Sequence, residues 1–282
     1  MLFKNSRVGI KEVRLDLGEL YPCLKDRVAF EKRLADFLPS HASHSSLFEL
    51  SDDELLYRTE CLVPRKHDAR PPLLLLFGNP ASHSVYSEMF FSFEEGKQEH
   101  RFWTALRKAG ILSFPFEGDR SQDVGWAERN QQRKHALHQL CYESPFRIGF
   151  AVFYSMPSPP SITPWAGVAG LRRLFGKKAF ERIGVIEGQR IGHLIRQFVS
   201  PNGAVIAFQK DAYLGTKLAT DPDYTIVGAK SGKLVGKCRH APGVRLFCCP
   251  PTRLLLAKRS LELLANLREC VLRTTELPGH SV

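Results

Sequence analysis

The run Leu73-Leu74-Leu75-Leu76-Phe77 is fenced by Pro71-Pro72 before it and by Gly78-Asn79-Pro80 after it, and no other stretch constrains the fold as much. A short, continuous apolar run between turn residues suits a strand buried on both faces, as in a parallel sheet, better than a helix. In open α/β sheets ligands bind outside the carboxyl ends of the strands. Gly and Pro fix a loop there, so that one side chain can be aimed. Asn79 is that side chain. Taken alone, Asn79-Pro80 also reads as a plain strand-ending turn.

The rest of the chain alternates in the same sense. Apolar runs at 146–154, 204–208 and 244–248 read as three further strands, and residues 165–180, 187–199 and 253–270 read as helices. Thr163-Pro164-Trp165 has the form of an N-cap followed by a first helical turn. Residues 1–70 read differently, as two helical stretches at 15–38 and 52–60 joined by the polar loop His41-Ala42-Ser43-His44-Ser45-Ser46. The expectation is an α/β domain over residues 71–282 with an N-terminal helical extension over residues 1–70 packed on it. No internal repeat is visible.

At 282 residues and 43% apolar content, the chain is long enough to bury a full α/β core. Its formal charge of +11 fits a polyanionic partner, although a solvated basic surface would give the same number. No apolar run approaches the ~20 residues of a membrane span, and the start lacks a signal peptide's apolar core. The expected location is cytoplasmic, nucleoid-associated in a bacterium, with no membrane partner. The seven cysteines are odd in number and irregularly spaced, which favours reduced thiols over a disulfide framework. Cys238-x-His240 with Cys248-Cys249 offers metal-ligand types, but adjacent cysteines rarely both ligate, so no metal is expected.

Asn79-Pro80, the aromatic Met89-Phe90-Phe91-Ser92-Phe93 and the segment His100-Arg101-Phe102-Trp103-Thr104-Ala105-Leu106 together resemble the active-site region of the uracil-DNA glycosylase superfamily. The nearest branch is the mismatch-specific uracil and thymine-DNA glycosylases, whose first motif reads Gly-x-Asn-Pro-Gly before an aromatic loop and an Asn-x-Phe-Trp helix. Two positions depart from that pattern. Phe77 stands at the family's first glycine, Gly78 lies directly before Asn79, and Ala81 replaces the second glycine, where its methyl reshapes the base pocket. The resemblance covers about residues 71–270. It implies a three-layer α/β/α sandwich with a short, mainly parallel four-stranded sheet that carries DNA-contacting loops on one edge.

The resemblance also implies site residues. Asn79 is the water-positioning catalytic residue, because an amide does not titrate but its oxygen can orient a water. Gly78, Pro80, Ala81, Phe91, Phe93 and Tyr154 form the base pocket, with Phe91 or Phe93 either stacking on a flipped base or serving the core. Ser155 and Ser158 sit on a proline-rich loop that either touches the DNA backbone or acts as a rigid connector. The second motif is Cys249-Pro250-Pro251-Thr252-Arg253-Leu254, where the family has His-Pro-Ser or Asn-Pro-Ser and then an apolar wedge. Thr252 holds a phosphate or caps a helix, Arg253 touches DNA, and Leu254 wedges the duplex or joins the core. Lys258 either contacts phosphate or is solvated. Pro250 withholds the hydrogen-bond donor of the family pattern.

No lysine lies between Gly78 and Ser87, so a Schiff-base nucleophile is missing and simple hydrolysis to an abasic site is expected. Some relatives carry an iron-sulfur cluster, but the paired Cys-x-x-Cys spacing is missing and no cofactor is expected. Gly228-Ala229-Lys230-Ser231-Gly232-Lys233-Leu234 has too few residues between its glycines for a phosphate-binding loop. The expected protein is a monomeric, monofunctional DNA glycosylase. It would act on uracil or a modified cytosine such as glucosylated 5-hydroxymethylcytosine of phage DNA, in repair or in antiviral defence. The alternative is a DNA-binding module of the same fold that has lost catalysis.

Overall fold

A computed structural model describes residues 1–7, 9–92, 99–117, 124–160, 163–255 and 257–275. The N-terminal region holds β1 (Leu2–Arg7), β2 (Ile10–Asp16), α1 (Leu17–Leu20), α2 (Leu24–Phe37), α3 (His44–Leu47), β3 (Phe48–Leu50) and β4 (Glu54–Glu60). Its strands form an antiparallel sheet in the order β1-β2-β4-β3. The helical stretch expected at 15–38 is present as α1 and α2, but the one expected at 52–60 is β4, so the extension is a helix-backed sheet rather than helical throughout. Val13 and Leu15 of β2, and Leu55, Tyr57 and Thr59 of β4, point inward at every second position. The alternation was hidden because Glu12, Arg14, Glu54 and Arg58 between them are good helix formers. On the sheet they occupy outward positions, and Arg14 pairs with Glu54 at 3.6 Å.

The second half builds the other sheet. In chain order it contains β5 (Pro72–Phe77), α4 (Ser82–Tyr86), α5 (Arg101–Lys108), α6 (Trp126–Gln139), β6 (Arg147–Val152), α7 (Gly167–Phe175), α8 (Lys177–Phe198), β7 (Ala204–Ala207), α9 (Lys210–Thr216), α10 (Ile226–Ser231), β8 (Val235–Cys238), β9 (Ala241–Cys248) and α11 (Lys258–Thr275). The sheet is five-stranded, in the order β6-β5-β7-β9-β8. The four strands read from the apolar runs are all parallel to one another, and β8 joins antiparallel to β9. The expected four-stranded sheet therefore gains an edge strand, whose alternating exposed and buried residues gave no continuous apolar signal. The expected helices at 165–180 and 187–199 divide elsewhere, at Gly176, whose φ of +77° ends α7 and lets α8 run unbroken for 22 residues.

The leucines of β5 serve both faces. Leu73, Leu75 and Phe77 join one apolar cluster with residues of α5, α6 and α11, while Leu74 and Leu76 join another with residues of α7, α8 and the N-terminal sheet. Residues 1–62 are thus part of a shared core. They also meet the outer edge of β6 at one point, where Leu62 and Phe150 exchange backbone hydrogen bonds at 3.0 and 2.9 Å.

Candidate active site

Asn79 follows the last residue pair of β5, on a turn held against the segment after β6. Ser158 N donates to Pro80 O at 3.1 Å and Ser82 N to Ser158 O at 2.9 Å, so the two loops pair like a short parallel ladder. The Asn79 side chain joins this seam. Its Nδ2 donates to Ser158 Oγ at 2.9 Å, and more loosely to Pro80 O at 3.2 Å and Met156 O at 3.4 Å. Carbonyl oxygens only accept, so the nitrogen faces inward. Oδ1 accepts no hydrogen bond among the described residues. Ser158 Oγ also accepts from Gly167 N at 2.8 Å, which ties the seam to the start of α7.

The N-terminal region buttresses both loops. His44 Nε2 lies 2.7 Å from Ser82 Oγ, and its other ring nitrogen lies 3.3 Å from the carbonyl of Phe37, on whose ring it stacks. Burial lowers the His44 pKa to about 4, so the imidazole is neutral at neutral pH. Tyr57 Oη lies 2.8 Å from Ser155 Oγ, and Ser155 N donates to Glu187 Oε1 at 2.6 Å. Arg190, paired with Glu187, caps the end of β6 by donating to the carbonyls of Val152 and Phe153 at 2.6 and 2.9 Å.

These contacts correct part of the sequence reading. Ser155 and Ser158 are buried and their hydroxyls are consumed internally, so neither is open to a DNA backbone. Tyr154 is also set apart from the other base-pocket candidates: its ring packs on Phe153 and Phe180 in the α7/α8 cluster. There it lines a cavity of about 720 Å³ with Arg172 and Asp211, and burial pushes its phenol up to about 12.

The residues that do gather beside the turn are aromatic. Phe91 is half-buried with φ of +48°, stacks on Phe102 at 4.2 Å and meets Phe77 edge-on at 4.9 Å. Its carbonyl accepts from Trp103 Nε1 at 2.9 Å, which fixes this left-handed residue from α5. His100 lies 4.8 Å from the Phe91 ring, and burial, with His83 next in effect, lowers its pKa to about 4. Gly78 and Pro80 are buried, and Ala81 precedes α4. Phe93 lies outside the described residues.

The second motif reaches the same edge of the sheet. β9 is parallel to β7 and β7 to β5, so Cys249-Pro250 leaves the sheet on the side where Gly78-Asn79 does. Thr252–Leu254 then forms a separate 3-10 turn that packs against α5, and α11 begins only at Lys258. Thr252 therefore neither caps nor opens the last helix. Thr252 and Leu254 are half-buried, whereas Leu255 is fully buried; Arg253 is on the turn. Lys258 and Arg259 are exposed in the first turn of α11, which holds no acidic residue. Such a cationic helix start suits phosphate.

Two histidines and a glutamine complete this end of the sheet. His83 lies on α4, and His100 caps α5 by accepting from Phe102 N at 3.2 Å. Gln209, just after β7, lays its carboxamide over Gly78, where a β-carbon would overlap it. Its Oε1 is buried and finds no hydrogen-bond partner among the described residues. The glycine before Asn79 was the one signal for it: a missing side chain at a strand end makes room for a neighbour. No group of three or more His, Cys, Asp or Glu side chains among the described residues is arranged to hold a metal. Cys238 and Cys248 are instead buried thiols, each pushed up to about 12. Among the described residues no helix is long and apolar enough to cross a membrane. No protein-family model matches the sequence, and no curated protein matches it either.

Proposed function

We propose that this chain is a monofunctional DNA glycosylase built as a three-layer α/β/α sandwich, which hydrolyses the N-glycosidic bond of a flipped-out, non-standard pyrimidine. One observation carries the reading. The Gly78-Asn79-Pro80 turn and the Cys249–Leu254 turn leave β5 and β9, two parallel strands on either side of β7, at the same end of the sheet, with α5 packed against the second turn. Asn79 Oδ1 orients a water toward C1′. The new C1′–O bond forms as the base departs with the bonding electron pair, and the water's proton ends on the base or solvent. Phe91 walls the base, and Lys258 with Arg259 holds phosphate. Because Pro250 offers no donor to the departing base, the preferred substrate is a better leaving group than uracil in a U·A pair, or a cytosine with a bulky 5-substituent.

The same proline favours a second reading, a DNA-binding module that has lost base release. The two are separated on duplexes containing uracil, mismatched uracil, 5-hydroxymethylcytosine or its glucosylated form, scored for alkali-labile abasic sites. The expected result is release of a modified cytosine and little action on U·A. Binding to every duplex without abasic sites on any would move the protein to the second reading. Efficient excision from U·A alone would make it a routine uracil-repair enzyme.

A further inference from the structure

The opposite edge of the main sheet, where β5 and β6 begin, carries a different chemistry. A cavity of about 760 Å³ opens there between the N-terminal sheet, the segment after β4, α6 and α8. Lys11, Arg65, Lys66, His67, His138 and Arg147 line it, and among the described residues no Asp or Glu does. Among the described residues Lys11, Arg65 and Lys66 form no ion pair. Arg147 is the decisive member. Its residue is 6% exposed, yet its guanidinium has only neutral partners: Lys66 O at 3.2 Å, His67 Nδ1 at 2.8 Å, Phe198 O at 3.2 Å and the Phe198 ring at 4.7 Å. Asp68, in the adjoining hollow, is engaged by Arg70 at 2.6 Å. Asp68 also acts on the Arg147 charge but is shared with Arg70 and forms no ion pair with it, so the buried guanidinium is under-compensated and an anion in the cavity would complete it.

We propose that this cavity binds a phosphorylated small molecule of nucleotide size, with its phosphates on Lys11, Arg65, Lys66 and Arg147 and its apolar part against Val63, Pro64 and Phe198. The volume lies in the usual range for small-ligand pockets, roughly 300–1,000 Å³. The site is distinct from the Asn79 turn. From Pro72 to Phe77, β5 runs roughly 17 Å at ~3.3 Å per residue, with this cavity at its start and Asn79 past its end. It therefore stands or falls independently of the glycosylase reading.

Calorimetric titration of the full chain with ATP, and separately with pyrophosphate, tests it. The expected result is saturable one-site binding that falls at least about tenfold in the double variant R65E/K66E and in Lys11→Glu, and is unchanged in Asn79→Ala. Arg65 and Lys66 are exposed, so thermal melting should show these variants folded. No saturable binding of either probe at millimolar concentration overturns the proposal. Binding that survives R65E/K66E puts the ligand elsewhere and overturns it too. If the double variant loses affinity for duplex DNA and ATP never binds, the cluster is a track for the nucleic-acid backbone, which also overturns the small-ligand assignment.

Discussion

Nδ2 of Asn79 donates to Oγ of Ser158 at 2.9 Å, and this bond decides which end of the amide is left for chemistry. Ser158 is in turn held by α7 through Gly167 N. The amide oxygen is thus fixed by two segments distant in sequence, as a residue that orients water requires.

Asn79→Ala should lower single-turnover base release by about 10² or more while DNA affinity stays within a few-fold. Ser158→Ala should lower kcat by less and leave KM nearly unchanged, because it frees the amide without removing it. Near wild-type release by Asn79→Ala would take this residue out of the mechanism.

Leu254, half-buried beside fully buried Leu255, marks the boundary between wedge and core. If it enters the duplex, Leu254→Ala should impair activity on duplex more than on single strands, since only the duplex requires unstacking of a few kcal/mol. Equal losses on both substrates together with a lower Tm would assign it to the core.

Gln209 offers the carboxamide nearest the turn, and its Oε1 awaits a donor. We expect Gln209→Ala to change the ratio of kcat/KM between substrates, by about tenfold or more, rather than to abolish release, because an unmet hydrogen bond discriminates between bases. An unchanged ratio with uniformly lower activity would make Gln209 a packing residue.

His44 and His100 both have pKa values lowered from 6.5 to about 4 by burial. Between those values the unfolded chain binds more protons than the folded one, so stability is full above about pH 6.5 and falls as pH drops toward 4. Chemical denaturation from pH 7 to pH 4 should show that loss, and His44→Asn should flatten part of the slope. A wild-type profile level across this window would mean that the imidazoles are not buried neutral.

Much of the main sheet was legible because its strands are apolar on both faces: Leu73–Phe77 can be little else. β4 was not, since its inward Leu55, Tyr57 and Thr59 alternate with Glu54, Leu56 and Arg58, which suit a helix equally well, and only pairing with β2 selects the strand. At the site, Asn79 was legible from its punctuation. The occupation of Ser155 and Ser158 was not, because it depends on Tyr57, Glu187 and Gly167, which the sequence places far away. Gln209 escaped for a related reason: its position beside Gly78 exists only once β7 has paired with β5.

The core that the first sheet shares with α7 and α8 has a consequence for how the chain is made. Residues 1–62 leave the ribosome long before those helices, so the inner side of the first sheet, with Val13, Leu15, Leu55 and Tyr57, has only α2 to pack on until β5, α7 and α8 emerge. That interval leaves apolar surface uncovered, a feature that draws nascent chains into aggregates. Chaperone demand during synthesis should therefore peak while residues 63–198 are being added, and fall once α8 has reached the sheet.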